Sequence, residues 1–349
     1  MKHVPRRAEL VSAISGLAGH RVAVVGDPVL DVYLLGTTDR ISREAPVLIL
    51  RYEGESLAPG GGANAAANVR ALGGRPLPVG CVGDDVDGRE LLAALAARDI
   101  SVEGILELPG WRTPTKTRIL AGFHSASKQQ IVRFDREPER PIEPADRERI
   151  ARRIAEVVAG AAERPRVAIL SDYGYGAVGP ELVAPARAAL GEGALVLADS
   201  RFRLGEYREL DGATPNEEEA EALAGGRLDE AAGSLERTGE ALRARLACRF
   251  LLVTRGSRGM ALFESGGAAH VPVHGSSQVA DVTGAGDTVI GTFALALAAG
   301  ASPLEATLLA NYAGGVVVMK MGTATLERAE LVAAIESDRH LLADLRWAR

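Results

Sequence analysis

Asp281-Val282-Thr283-Gly284-Ala285-Gly286-Asp287-Thr288 is the stretch whose reading decides the fold. It follows a strand-like segment, Ala269 to Val273, and a short polar loop, and it runs into an apolar, alanine-rich helix expected over Val289 to Ala299. Small residues just ahead of a helix leave backbone N–H groups uncovered, and the helix dipole adds partial positive charge, which together make an anion site. Asp287 sets a carboxylate at the mouth of that helix. A base there can take a proton from a hydroxyl while the amides hold the phosphoryl group moving onto it. The plainer alternative is a glycine turn with an N-capping aspartate, common at any helix start, and this motif alone does not exclude it.

Upstream, Arg21-Val22-Ala23-Val24-Val25-Gly26-Asp27 reads as a buried strand ending in Gly-Asp. Ligands gather at the carboxyl ends of such strands, so Asp27 and Asp31 fall where a site is expected. After Glu143 helices and strands alternate regularly, which implies a mostly parallel sheet covered on both faces, an α/β fold. No linker divides the chain, so residues 1–349 read as one domain. Two insertions break the pattern. Val29 to Leu35 and Val47 to Glu53, then Thr115 to Gly122 and Gln130 to Asp135, read as four short antiparallel strands drawn from about 29–56 and 105–136. They suggest a small β-sheet lid, or an ordinary hairpin extension. Apolar faces on exposed strands would also suit dimerisation.

Between the insertions, Pro59-Gly60-Gly61-Gly62-Ala63-Asn64 opens a helix of small residues. Its glycines admit a ligand to the backbone, and Asn64 offers a donor and an acceptor to sugar hydroxyls. Taken alone, a glycine turn at a helix start explains it as well. Asp84-Asp85-Val86-Asp87-Gly88 lacks the closing glutamate of a calcium loop and reads as a helix cap. Asn216 and Glu219 share the first turn of a helix, where they can hold a hydrated magnesium ion or form a capping box. Thr254-Arg255-Gly256-Ser257-Arg258-Gly259 is either a phosphate loop or a hairpin connection.

Composition narrows the function. The net charge of −6 over 349 residues argues against general nucleic-acid binding. The two cysteines, Cys81 and Cys248, show no metal spacing, so a reducing cytoplasm is expected. The amino terminus carries charge without an apolar core, and no run of about 18 apolar residues occurs, so neither a secretory leader nor a membrane span is expected. Pro272 separates His270 from His274, which therefore read as strand-end residues and not as zinc ligands. None of the four lysines follows a glycine, which excludes the Gly-Lys phosphate loop, and no dinucleotide fingerprint follows the first strand.

Taken in order, Pro59-Gly60-Gly61…Asn64, Asn216-x-x-Glu219, Thr254-Arg255-Gly256-x-x-Gly259 and Asp281-x-Thr283-Gly284-Ala285-Gly286-Asp287 resemble the motifs of the PfkB/ribokinase family of sugar kinases. The resemblance covers essentially the whole chain, and the last motif is its most specific. It implies a ribokinase-like fold, ATP as phosphoryl donor and Mg2+. Asp287 would be the catalytic base, with the amides of Gly284, Ala285 and Gly286 as the anion hole. Asn216 and Glu219 would position magnesium and phosphate. Thr254, Gly256, Gly259 and Asn311 would bind the nucleotide, and Asp31, Gly60, Gly61 and Asn64 the sugar. Asp281 and Thr283 resemble the family's monovalent-cation loop, which suggests K+.

A narrower likeness points to the branch that phosphorylates the anomeric hydroxyl of D-glycero-D-manno-heptose 7-phosphate. It rests on Gly26-Asp27-x-x-Leu30-Asp31-x-Tyr33, Arg40-Ile41-Ser42-x-Glu44-Ala45-Pro46-Val47, Lys116-x-Arg118 and Gln129-Gln130-x-x-Arg133-x-Asp135. Lys116, Arg118 and Arg133 would then grip the distal phosphate from the lid; otherwise they are a solvated charged face. Tyr175 and Arg201 stand where that branch shows lysines. No His-x-Gly-His motif follows Asp287, so the nucleotidyltransferase fused in some relatives is not expected here. The competing expectations are a kinase for another sugar, a nucleoside or a sugar phosphate, and a non-catalytic sugar or nucleotide sensor. The expected partners are the small sugar, ATP and a second copy of the chain.

Overall fold

The computed structural model describes residues 3–122, 128–228, 233–275 and 279–348. Residues 123–127, inside the second insertion, lie outside the described residues. In chain order the described strands are β1 (Arg21–Gly26), β2 (Pro28–Ile41), β3 (Leu48–Gly61), β4 (Arg75–Gly83), β5 (Ile105–Leu108), β6 (Thr115–Gly122) and β7 (Gln129–Arg136). There follow β8 (Val167–Asp172), β9 (Leu195–Ser200), β10 (Gly212–Ala213), β11 (Phe250–Thr254), β12 (Met260–Glu264), β13 (Gly267–Val271) and β14 (Arg346–Ala348). Among the described residues they make two sheets. The larger has the order β14-β13-β12-β11-β10-β9-β8-β1-β4-β5, the smaller β3-β2-β6-β7.

From β11 across to β5 the large sheet is parallel. Three antiparallel strands extend it at the other edge. Its central strands are continuous apolar runs because both faces are covered. Val22, Val24, Ile169 and Leu252 point into a core with the helices Ala285–Ala298 and Pro303–Val317. Their neighbours Ala23, Val25, Leu170 and Val253 point to the opposite core, against Ile150, Ile154 and Leu182. Fully burying Ile290 and Phe293 of the helix Ala285–Ala298 contributes roughly 1.5–3 kcal/mol each. That helix is thus fixed to the sheet, and its amino terminus sits at the carboxyl ends of the strands.

The small sheet is built from the two insertions, but not as expected. β2 and β3 are each 14 residues long. β3 stays paired as far as Pro28↔Gly61, so Pro59-Gly60-Gly61 is a strand end and not a turn. The helix Gly62–Ala71 starts at the next residue. β2 and β6 pair in parallel, not antiparallel, because β6 arrives after a crossover through β4 and β5. Ile105–Leu108 pairs with β4 in the large sheet, so the second pair of lid strands begins at Thr115 and not near 105. The strand β14, which closes the antiparallel edge, had no sequence signal.

Pairing registers set which side chains face the site. Asp31 aligns with Lys116 and Tyr33 with Arg118 across β2 and β6. Lys116 aligns with Asp135 and Arg118 with Arg133 across β6 and β7. Laterally aligned residues share a face, and residues two apart share it too. One face of the lid therefore carries all six.

Candidate active site

Gly284 is the N-cap of the helix Ala285–Ala298 and adopts φ 76°, ψ 5°, a left-handed conformation that glycine reaches without strain. A Cβ there would also lie 2.5 Å from Asn64 Nδ2. The Ala285 N–H is taken by the Val282 carbonyl at 3.2 Å. Those of Gly284, Gly286 and Asp287 find no acceptor among the described residues, so open amides flank Ala285 on both sides and reach as far as Asp287.

Asp287 is 2% exposed. Its Oδ2 accepts from Asn64 Nδ2 at 2.9 Å and its Oδ1 from the Tyr173 hydroxyl at 2.7 Å. Asn64 is held in turn: its carbonyl and Oδ1 accept from Asn68 Nδ2 at 3.0 and 3.1 Å, and Thr288 Oγ1 donates to Asn68 Oδ1 at 3.1 Å. Burial pushes the Asp287 carboxyl up to about 7, against the two hydrogen bonds that favour its charge. Asp31 adds to the rise and Lys116 opposes it. A carboxylate poised near neutrality is suited to general-base work.

Above it, Asp31 is 4% exposed and forms a buried pair with Arg118 at 2.5 Å. Its Oδ2 accepts from Thr323 Oγ1 at 2.6 Å, and the Thr323 N–H donates to the Tyr33 hydroxyl at 2.6 Å. Gly60 leaves room for this carboxylate, since a Cβ there would lie 2.5 Å from Asp31 Oδ2. Lys116 is 7% exposed and its ammonium lies 5.0 Å from the Tyr173 ring centroid. Burial and the neighbouring Arg201 lower its proton affinity. Arg133 is exposed and pairs with Asp135 through two 2.9 Å hydrogen bonds.

Beneath the lid, Asp27 accepts three backbone N–H groups, from Tyr173 at 2.9 Å, Tyr175 at 3.1 Å and Ala177 at 2.9 Å. Burial, reinforced by Asp172, still raises it to about 7. The loop after β8 is thereby tied to the end of β1, and this tie delivers Tyr173 to Asp287.

The nucleotide-side candidates are more dispersed. Asn216 and Glu219 form a capping box, with Glu219 N–H donating to Asn216 Oδ1 at 2.8 Å and Asn216 N–H to Glu219 Oε2 at 2.9 Å. Asn216 bridges to Thr254 at the end of β11, so these two motifs do meet. Glu219 is raised by burial. Asp199, at the end of β9, is raised well above the carboxylate range by burial and by Glu219, Asp287 and Asp172. Gly256 and Gly259 adopt φ 53° and 79° in the turn after Thr254, and Glu217 pairs with Arg255 and Arg258. Asn311 is 3% exposed and donates to the Pro272 carbonyl at 2.8 Å. Asp281 Oδ1 accepts from the Thr283 N–H and hydroxyl at 2.9 and 2.7 Å, and Oδ2 from the Gly322 N–H at 3.0 Å. His270 and His274 face different partners, Glu236 and Asp338. Asp85 caps its helix by accepting from Gly88 N–H at 2.7 Å.

Asp287, Asn64, Asp31, Gly60, Lys116 and Arg118 thus converge, with Gly61 beside them, where a Cβ would lie 3.4 Å from the Tyr173 ring. Tyr173, Asp199 and Thr323 were not predicted as site residues, and Asp27 was placed near the site without a role. Asp27 and Asp199 carried a signal, a carboxylate at the end of a parallel strand. Tyr173 and Thr323 sit in loops and carried none.

Residues 20–329 match the pfkB family of carbohydrate kinases. A bifunctional protein HldE from Mesorhizobium japonicum is 39% identical over 344 residues, which are 96% of this chain and 66% of that protein. One from Chromohalobacter salexigens is 42% identical over 323 residues, 91% of this chain and 64% of that protein. The chain spans somewhat less than two thirds of the length of these curated relatives. Phosphofructokinase-2 from Escherichia coli, in complex with substrates and products, superposes with a TM-score of 0.72 at 19% identity over 91% of this chain and 99% of that one. Arabidopsis thaliana ribokinase complexed with ribose and ATP gives 0.66 at 20% identity, covering 92% and 100%. The fold is ribokinase-like, and the chain belongs to the pfkB family of carbohydrate kinases.

Proposed function

We propose that this chain transfers the γ-phosphoryl group of ATP to the anomeric hydroxyl of D-glycero-D-manno-heptose 7-phosphate. The observation that carries the reaction type is the Asp287 carboxylate, buried between the open amides of its helix and the cationic face of the lid. Asp287 takes the proton of the sugar hydroxyl, and the Gly286 and Asp287 N–H groups face the charge that develops on the transferring phosphoryl oxygens. Asn64 fixes the base, while Asp31, Gly60 and Gly61 bind the sugar hydroxyls.

The lid cations divide by what it costs to free them. The Arg118–Asp31 pair is buried, and breaking such a pair costs about 3–5 kcal/mol, so Arg118 stays on Asp31 and orients it. The Arg133–Asp135 pair is exposed and is worth about 0–1 kcal/mol. Arg133 is therefore free to turn to a distal phosphate, with Lys116 beside it. Identities of about 40% to the HldE relatives support the heptose assignment. Tyr175 and Arg201, the latter acting on Lys116, depart from that branch and favour a different phosphorylated sugar as the second reading.

Asn216, Glu219 and Asp199 suit magnesium: burial and the neighbouring Glu219 raise the proton affinity of Asp199, and a cation held there would relieve that repulsion. Among the described residues no three His, Cys, Asp or Glu side chains gather as a metal cage, which suits a hydrated ion bound partly through phosphates. Bound there, Mg2+ would neutralise phosphate charge. Thr254, Gly256, Gly259 and Asn311 would hold the nucleotide, and Asp281 and Thr283 a potassium ion. We assign the enzyme to the cytoplasm; among the described residues no helix is long and apolar enough to cross a membrane. The outer lid face exposes Ile41, Tyr52, Val132 and Phe134, which supports a homodimer.

The test is ADP release across a panel of sugars and sugar phosphates, with Asp287→Asn alongside. Turnover confined to heptose 7-phosphate and lost in the variant is the expected result. Turnover on another sugar keeps the kinase and rejects the branch. Ligand binding without turnover on any substrate would make the chain a sensor.

A further inference from the structure

We propose that Tyr173 is a positioning residue for phosphoryl transfer: its hydroxyl holds one oxygen of Asp287 while its ring carries the Lys116 ammonium, so one side chain fixes the base relative to a substrate-side cation. The inference rests on Asp287 being the base.

The geometry leaves Tyr173 little freedom. It directly follows β8, and its N–H is tied to Asp27 Oδ2 at 2.9 Å. Gly174, next in the chain, adopts φ +84° and ends in a left-handed turn. The ring lies against Gly61 and beneath Lys116, 5.0 Å from its ammonium, an attraction between a cation and a ring face. The hydroxyl reaches Asp287 Oδ1 at 2.7 Å, the length of a charge-assisted bond. Asn64 holds the other oxygen, so the carboxylate plane is fixed at both ends.

The direction of the effect follows from the donors. Asp31 on β2, Lys116 on β6, Asp199 on β9 and Tyr173 itself are the charged and titratable groups that face Asp287. Burial and the surrounding carboxylates hold the phenol neutral, so it donates and does not itself take the substrate's proton. A donor to a carboxylate favours the charged form. Removing it leaves Asp287 protonated to a higher pH, with less base at neutrality.

The test compares Tyr173→Phe, Tyr173→Ala and Asp287→Asn with the unmodified chain on the substrate that the panel identifies. In Tyr173→Phe the acid limb of kcat/KM should move to higher pH by about one unit, with activity recovered on the alkaline side. Tyr173→Ala should in addition raise KM for a phosphorylated sugar several-fold above the Phe variant, because the ring under Lys116 is lost. A superimposable acid limb, or an equal loss at every pH, overturns the role at the base. Equal KM in the Phe and Ala variants overturns the role under Lys116. Turnover retained in Asp287→Asn would instead reject the base itself, whatever Tyr173→Phe does. Should the tyrosine variants fold poorly, infrared difference spectra of the unmodified chain give the same answer. The phenol C–O band should shift as Asp287 titrates and stay fixed in Asp287→Asn; a band that is fixed in both overturns the inference.

Discussion

Thr323 donates its hydroxyl to Asp31 Oδ2 at 2.6 Å, across 292 positions of sequence. Its neighbour Gly322 donates its N–H to Asp281 Oδ2 at 3.0 Å. Two adjacent residues therefore join the Asp31 carboxylate of the lid to the Asp281 loop that leads into the helix carrying Asp287. Thr323→Val leaves a buried carboxylate oxygen short of a donor, at a cost of about 1–3 kcal/mol. Steady-state kinetics should show KM for the sugar raised about tenfold or more, with kcat reduced less. An unchanged KM would mean that Arg118 alone suffices to hold Asp31.

Asp27 and Asp287 both titrate at about 7 in the folded chain, against about 3.9 for an unperturbed aspartate. Between those values the folded chain holds protons that the unfolded chain has released. These two groups therefore make stability fall as pH rises from about 4 to about 7, with the loss complete above that. Asp287→Asn removes one share of it. Its melting midpoint should exceed that of the unmodified chain at alkaline pH and depend less on pH, while kcat drops by about 10²–10⁴. Melting curves across that range check the sign.

Gly284→Ala combines a left-handed backbone with a Cβ 2.5 Å from Asn64 Nδ2. The backbone alone costs about 1–2 kcal/mol, and Asn64 must move away from Asp287. Activity should fall by more than that stability loss explains, with kcat down about tenfold or more in a chain still folded at the assay temperature.

Arg133→Ala should leave the melting midpoint nearly unchanged, since an exposed ion pair contributes about 0–1 kcal/mol. If Arg133 grips a distal phosphate, KM for a phosphorylated sugar rises about tenfold or more, while the weak turnover of an unphosphorylated analogue stays as it was. Equal effects on both substrates would place Arg133 outside the phosphate site.

The candidate base Asp287 and its glycines were legible because one helix start brings a carboxylate and open amides together within a few consecutive residues. Asn64 was legible for the same reason, at the start of a second helix. The parallel sheet was legible from apolar runs such as Val22 to Val25. The parallel pairing of β2 with β6 was not, because it depends on a crossover whose strands, β4 and β5, belong to the other sheet. Tyr173 and Thr323 were hidden for a related reason: each sits in a loop, and its contact exists only because an element distant in sequence brings a carboxylate to it, the helix start at Asp287 for one and β2 at Asp31 for the other. Asn216 and Glu219 show the converse. Their spacing fits a cap and a ligand pair equally well, and the structure displays the cap.

The first hairpin of the lid joins the body almost without a linker. Asp27 alone separates β1 from β2, and β3 ends at Gly61 where the next helix begins at Gly62. At this junction the two chain crossings of that hairpin touch: a Cβ on Gly26 would lie 2.7 Å from the Gly62 Cα. That hairpin is thus a lever with its fulcrum at the candidate-site end. A 14-residue strand extends about 46 Å at ~3.3 Å per residue. A tilt of about 10° would carry its tip through roughly 8 Å but Asp31 through only about 2 Å. A displacement at the far end reaches Asp31 reduced about fourfold, so a contact at the tip would adjust that carboxylate in small steps.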